Sequence, residues 1–300
     1  MRARAPGKLV LSGAYSVLEG APALVAAVDR YVLADGSREA ALVTAEVAEA
    51  VRRGLVPRAV AFDASALREA LADGSSRKLG LGSSAAILVA TMATSRSSEE
   101  LASPEFGRAL FAEALACHRE AQGGGSGVDV AASCFGGVVR CRMHGPELTV
   151  DSSLLPDCTV ETWACATSAS TSGMLAKVRA WAARERPRYD ALIRGASDGA
   201  ERACAAREVG ELVAALREQR RALAELGRRA DAPIVTEELD GLDAVAATDG
   251  AIAYPAGAGG GDVALYVGAC PSSEAFRSRA TSLGLVRLEL RIGAPGVGPA

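Results

Sequence analysis

Lys78-Leu79-Gly80-Leu81-Gly82-Ser83-Ser84-Ala85-Ala86 runs without a break into the apolar Ile87-Leu88-Val89-Ala90. The glycines let the backbone take positive φ and approach a ligand closely. Two serines add hydroxyls, and the alanine-rich stretch behind them predicts a glycine-serine turn feeding a helix over 80–94. Free N–H groups and the positive helix end would then face one point, which suits phosphate. The spacing is not that of the Gly-x-x-x-x-Gly-Lys-Ser/Thr loop. A plain glycine turn before a buried helix would use the same letters, so the rest of the chain must decide.

Three other segments bear on it. Gln122-Gly123-Gly124-Gly125-Ser126-Gly127-Val128-Asp129-Val130-Ala131-Ala132 places an acid just after a glycine loop, where an apolar helix begins. Such an acid serves either the helix dipole or a phosphate-bearing cleft. Tyr254-Pro255-Ala256-Gly257-Ala258-Gly259-Gly260-Gly261-Asp262 has four glycines in five positions between two strand-like stretches. A hairpin needs one or two, and the surplus costs backbone entropy on ordering. Ala5-Pro6-Gly7-Lys8-Leu9-Val10-Leu11-Ser12-Gly13 sets a lysine at the head of an apolar strand. Lysine occurs only at Lys8, Lys78 and Lys177, and its compact cation is not replaceable by the arginine fork.

Composition narrows the class. The chain has 300 residues, 49% hydrophobic and 23% charged, the balance of a globular protein about two domains long. A net charge of −3 gives no global basic field to argue for nucleic acid, and 4% aromatics weakens a base-stacking reading. No apolar run is long enough to span a membrane. Met1-Arg2-Ala3-Arg4-Ala5-Pro6-Gly7-Lys8 does not read as a signal peptide, so a cytoplasmic protein is expected. Cys117, Cys134, Cys141, Cys158, Cys165, Cys204 and Cys270 form no Cys-x-x-Cys pair, and His118 and His144 are the only histidines. This argues for reduced thiols and against structural zinc. On the alanine-rich helix, His118 reads as structural more readily than as a site residue.

Periodicity and punctuation predict an α+β chain with a boundary near residue 150, giving 1–150 and 151–300. Strand, Ser-Gly turn and a second extended piece are expected over 8–18, and strands over 23–33, 136–141, 160–166, 251–254, 263–267 and 286–290. Helices are expected over 66–72, over 104–122 with Ser103 as N-cap and Pro104 in first position, after the loop that opens 126–135, and over 172–186, 191–229 and 237–247. The segment 40–53 fits either state. Arg184 to Arg229 reads as a solvated helical face.

In this order, these motifs resemble the GHMP small-molecule kinase superfamily. Lys8 lies in a Pro-Gly-Lys segment, Gly80 to Ala86 match the central phosphate motif, and Gly257 to Gly261 look like the C-terminal glycine loop. Within the superfamily the details are most similar to the phosphomevalonate kinases. Those details are Lys78 ahead of the glycines, His118 followed by Ala121-Gln122-Gly123, the run Ser126 to Ala132, Ser168-Ala169-Ser170-Thr171 after a tryptophan-bearing strand, Pro233-Ile234-Val235-Thr236, and Asp262. The departures are Ala14 where an acid is usual, Ala256 where a serine is common, no Pro-x-x ahead of the central motif, and a short chain.

The resemblance implies a two-domain GHMP kinase fold, an N-terminal ribosomal-S5-like domain and a C-terminal ferredoxin-like domain. It implies ATP and Mg2+, with phosphate contacts from Lys78, Gly80, Leu81, Gly82, Ser83, Ser84, Ala85, Gly257, Gly259 and Gly260, and Ser83 or Ser84 as metal ligand. Asp129 and Lys8 would be catalytic. Tyr15, Ser126, Gly127, Ser168, Ser170, Thr171 and Asp262 would face the acceptor. The expected partner is a small molecule, with no nucleic acid or membrane, in a monomer or homodimer. 5-Phosphomevalonate is the implied acceptor. Mevalonate, another small alcohol, or a silent nucleotide-binding role stay open.

Overall fold

The computed structural model describes residues 1–70, 76–103, 105–166 and 170–300. The first half runs β1 (Arg2–Ser12), β2 (Pro22–Glu39), α1 (Ala45–Arg52), β3 (Val60–Asp63), β4 (Arg68–Ala70), β5 (Ser76–Lys78), α2 (Ser83–Ala93), α3 (Ser98–Ala102), α4 (Phe106–Gln122), α5 (Val128–Phe135), β6 (Val138–His144) and β7 (Glu147–Ser153). The second half runs β8 (Thr159–Ala164), α6 (Thr171–Arg184), α7 (Arg186–Ala205), α8 (Val209–Ala230), α9 (Glu237–Thr248), β9 (Ile252–Pro255), β10 (Val263–Gly268), α10 (Glu274–Ser282), β11 (Val286–Leu288) and β12 (Gly298–Pro299).

Two antiparallel sheets organise the chain. The first has the order β12-β1-β2-β6-β7, with β3 also on β2, so the C-terminal strand returns to the N-terminal sheet. The second has the order β11-β8-β10-β9. Helix α2 is apolar all round and buried from Ala85 to Ala93, as such a helix must be. It packs on β1 and β2, with α1, α4 and α5 against it. In the second half, the ring of Phe276 meets Trp163 and Tyr266 edge-on at 5.7 and 4.8 Å, and these aromatics seat α9 and α10 on the sheet.

Most predicted elements form. The alternatives over 40–53 resolve as α1, started by the Thr44 side chain accepting the Val47 N–H. Four expectations are corrected. The piece after Ser12 is a 3-10 turn, Ser16–Glu19, rather than extended chain. The expected helix over 66–72 is a 3-10 turn, Ser65–Leu67, followed by β4; residues 71 and 72 lie outside the described residues. Pairing with β5 overrides helix propensity there: Arg68 donates to the Ser76 hydroxyl at 2.8 Å, and Glu69 pairs with Arg77 at 2.5 Å. Ser103 ends α3 instead of capping α4, which starts at Phe106, and Pro104 lies outside the described residues. The stretch 191–229 is divided between two helices, because Ala206 leaves helical geometry and a Glu208/Glu211 capping box starts α8.

Candidate active site

Gly80 and Gly82 have φ of +67° and +75°, where an L side chain is strained. Gly82 is the N-cap of α2, no side chain caps that end, and the Ala86 N–H makes a helical bond back to the Gly82 carbonyl at 3.2 Å. The first-turn amides are therefore available to an anion. The loop also has no room for side chains. A Cβ on Gly82 would lie 2.9 Å from Lys8 Cγ, and one on Gly80 2.8 Å from Asp262 Cβ. Lys8 Nζ donates to the Gly80 carbonyl at 2.9 Å, and the Lys8 N–H to the Leu81 carbonyl at 2.9 Å. The glycines thus pass the chain between a lysine from β1 and an aspartate from the last glycine loop.

Asp129 sits in the first turn of α5, whose N-cap, Gly127, is also without a side-chain cap. Its Oδ1 accepts the Val130 N–H at 3.0 Å, and its Oδ2 lies 3.3 Å from His118 Nε2. Burial pushes the Asp129 pKa up, but the His118 hydrogen bond, the His118 and Lys8 charges and the Val130 N–H outweigh it and hold the carboxylate ionised. Burial pushes His118 down, and Asp129, with Glu46 further off, reverses that to a raised pKa. Burial lowers Lys8 against the opposing pull of Asp129 and Asp262. Arg119 ties the intervening loop in place, donating to the Gly125 carbonyl at 3.2 Å and the Ser126 carbonyl at 2.9 Å.

These parts line one cavity of about 550 Å³. On its wall are the expected Lys8, Tyr15, Lys78, Gly80, Leu81, Gly82, Ser83 and Ser84, and also Ser126, Gly127, Asp129, Ser170, Thr171, Gly257 and Asp262. Tyr15 bridges the two halves, donating its hydroxyl to the Ala258 carbonyl at 2.7 Å. The wall does not include Ala85, Gly259 or Gly260. Ala85 is buried in α2. Gly259 is a glycine for packing, since a Cβ there would lie 2.0 Å from the Ile234 carbonyl oxygen, and the Gly260 N–H points to that same carbonyl at 3.4 Å. Ser168 lies outside the described residues. The structure adds two residues. His118, which the sequence reads as structural more readily than as a site residue, touches Asp129 and the cavity; its place near the end of α4, one glycine loop before α5, was the available signal. Arg179 of α6 also lines the cavity, and no motif marks it.

No protein-family model matches the sequence. The chain is 28% identical to a phosphomevalonate kinase of Streptomyces sp. (strain CL190), an alignment covering 98% of this chain and 97% of that one. Among solved structures, a Lin0012 protein from Listeria innocua superposes with a TM-score of 0.82 at 22% identity, covering 100% of this chain and 99% of that one. Streptococcus pneumoniae phosphomevalonate kinase, solved with phosphomevalonate and AMPPNP, superposes with a TM-score of 0.76 at 18% identity, covering 97% and 99%. The chain has the GHMP kinase fold. Three of the segments singled out in the sequence meet at this cavity: β1 with Lys8, the loop into α2, and the loop from β9 to β10. No helix among the described residues is long and apolar enough to cross a membrane.

Proposed function

We propose that the protein is an ATP-dependent phosphotransferase that phosphorylates 5-phosphomevalonate to 5-diphosphomevalonate. The observation carrying this is the convergence of Lys8 and Asp129, 121 positions apart in sequence, beside the open amides of the Gly80–Ser84 loop. Similarity along the whole chain to a phosphomevalonate kinase supports the choice of acceptor.

Phosphoryl transfer asks for in-line placement and neutralised charge more than covalent help. The α2 amides and the Gly80 and Gly82 backbone would hold the nucleotide phosphates. The donors beside them are oxygens, the Ser83 and Ser84 hydroxyls and the Asp129 and Asp262 carboxylates. That set fits magnesium, which takes oxygen ligands and is held largely by the phosphates. The Ser83 or Ser84 hydroxyl would complete its shell, and the ion would neutralise charge on the phosphates. Lys8 stabilises negative charge on the transferred group. Asp129, held ionised, is a weak base. It orients the acceptor hydroxyl and takes its proton late, once bonding to phosphorus has acidified it. Ser170 and Thr171, at the start of α6, line the same cavity and would bind the acceptor.

The test is ADP release with magnesium-ATP against 5-phosphomevalonate, mevalonate, galactose and no acceptor. Turnover with 5-phosphomevalonate is expected. Turnover with mevalonate or galactose alone would reassign the acceptor, and nucleotide binding with no turnover would make the chain a silent binder. Asp129→Asn should cost roughly two to four orders of magnitude in kcat with the melting transition retained.

A further inference from the structure

The cationic side chains of the cavity are not equally committed. Lys8 is held by the Gly80 carbonyl and lies in the field of Asp129 and Asp262. Lys78 also makes no ion pair or side-chain hydrogen bond among the described residues, but it immediately precedes the Gly80–Ser84 loop, where a nucleotide's phosphates would engage it. Arg179 lines the same cavity from α6 and, among the described residues, has neither an ion pair nor a hydrogen bond.

The orientation of Arg179 is set by the helix that carries it. Met174, Val178, Trp181 and Ala182 are buried, which fixes how α6 is rotated. Thr171, Leu175 and Arg179, spaced at one helical face, then line the cavity. The positions three and four residues from Arg179 are Leu175, Ala176, Ala182 and Ala183, so its own helix offers no counter-charge. Lys177, two residues away, is by contrast engaged with Asp231 at 3.2 Å. A guanidinium left unpaired beside a cavity matches a planar or tetrahedral oxyanion, which it can grip with two parallel hydrogen bonds.

We propose that Arg179 binds an oxyanion carried by the acceptor, so that the site selects an anionic alcohol over a neutral sugar. This rests on the kinase reading for the presence of an acceptor and deepens it by naming the residue that selects the acceptor's charge. The oxyanion is a carboxylate or a phosphate, which share this recognition chemistry. Arg179 is a binding residue and takes no part in moving the proton.

The test is calorimetric titration of wild type, Arg179→Gln and Arg179→Lys, with and without magnesium-AMPPNP. The titrants are 5-phosphomevalonate, mevalonate and galactose. Wild type should bind at least one of the two anions and not galactose. Arg179→Gln should weaken that binding roughly ten- to a hundredfold, with Arg179→Lys between the two and AMPPNP affinity within about twofold of wild type. A loss confined to 5-phosphomevalonate assigns Arg179 to the phosphate, and an equal loss for both anions assigns it to the carboxylate. Equal affinity in wild type and Arg179→Gln, a loss in AMPPNP binding instead, or no binding of either anion to wild type would overturn the proposal. Binding of 5-phosphomevalonate through Arg179 without turnover would sink the proposed reaction and leave this assignment standing. An unchanged KM for 5-phosphomevalonate in Arg179→Gln, with turnover retained, would do the reverse.

Discussion

His118 shows how one side chain acquires a role that its neighbours in sequence do not announce. Its Nε2 reaches Asp129 Oδ2 at 3.3 Å, its ring is buried, and Glu46 and Arg119 are the other charges that act on it, while Lys8 also acts on Asp129. In the proposed reaction it would be a positioning residue, acting on the acceptor through Asp129. His118→Asn should lower turnover roughly ten- to a hundredfold by loosening the carboxylate. The pH dependence separates this from a packing role. The folded pKa of His118 is raised above 6.5, so its ion pair stabilises the fold fully below the unfolded pKa and the benefit is lost as pH rises through the folded pKa. Urea unfolding should therefore show a wild-type advantage over His118→Asn that is larger at pH 6 than at pH 9. A gap that stayed constant or widened with pH would reject the charged pairing.

At the scale of elements, the helices of the second half are held by buried polar groups as well as by apolar stripes. Arg220 of α8 is 9% exposed. It donates to the Ala253 carbonyl at 3.0 Å and the Leu239 carbonyl at 3.2 Å, and pairs with Asp240 at 2.7 Å and Asp243 at 3.4 Å. One guanidinium thus joins α8, α9 and β9. Removing it takes the ion pair from Asp240 and Asp243 and a donor from two carbonyls, leaving Asp243, among the described residues, only the Ala253 N–H at 3.0 Å, so Arg220→Ala should cost about 3 kcal/mol in urea unfolding. A cost below about 1 kcal/mol would show that the cluster is solvated in the folded protein. Gln219, one position earlier, makes a comparable join. Its Oε1 accepts from the Ser12 hydroxyl at 3.1 Å, the Gly13 N–H at 2.9 Å and the Tyr254 hydroxyl at 3.2 Å. The turn after Lys8 is therefore fixed from the other half of the molecule. Arg184 to Arg229 reads in sequence as a solvated face. That holds for exposed pairs such as Arg188 with Glu185 but fails at Arg220, because an arginine's burial depends on what packs over it.

At the scale of the molecule, the cavity is walled by segments from both halves: β1, the loop into α2, the turn into α5, the start of α6 and the loop from β9 to β10. A ligand filling it would be bound by the folded chain alone and would stabilise the whole. Magnesium-ATP at a hundred times its Kd should add about 2.7 kcal/mol and raise the melting temperature. An unchanged melting temperature at saturating nucleotide would reject the site as a nucleotide pocket. The return of β12 to β1 ties the C-terminal end to the same sheet that carries Lys8, with Ala3 opposite Pro299 and Arg4 opposite Gly298. This link joins two stretches distant in sequence, so no local pattern predicts it.

What the sequence determined by itself is local in its physics. Gly80 and Gly82 ahead of two serines and an apolar helix, Asp129 behind a glycine loop, and Lys8 at the head of a strand are each legible because backbone freedom, helix starts and strand patterning depend on neighbouring residues. The three motifs in order made the fold legible through resemblance. The tertiary structure alone decided which of these parts meet. The packing of α4 with α5 brings His118 to Asp129, the approach of Ile234 explains Gly259, and the rotation of α6 on its buried face turns Arg179 to the cavity. Pairing of β4 with β5 turned a helical-looking segment into a strand. Each depends on contacts between separate elements, whether close in the chain as in Arg68 with Ser76 or distant as in α6 and the cavity, whose energies are set by packing and desolvation and carry no fixed spacing in the sequence.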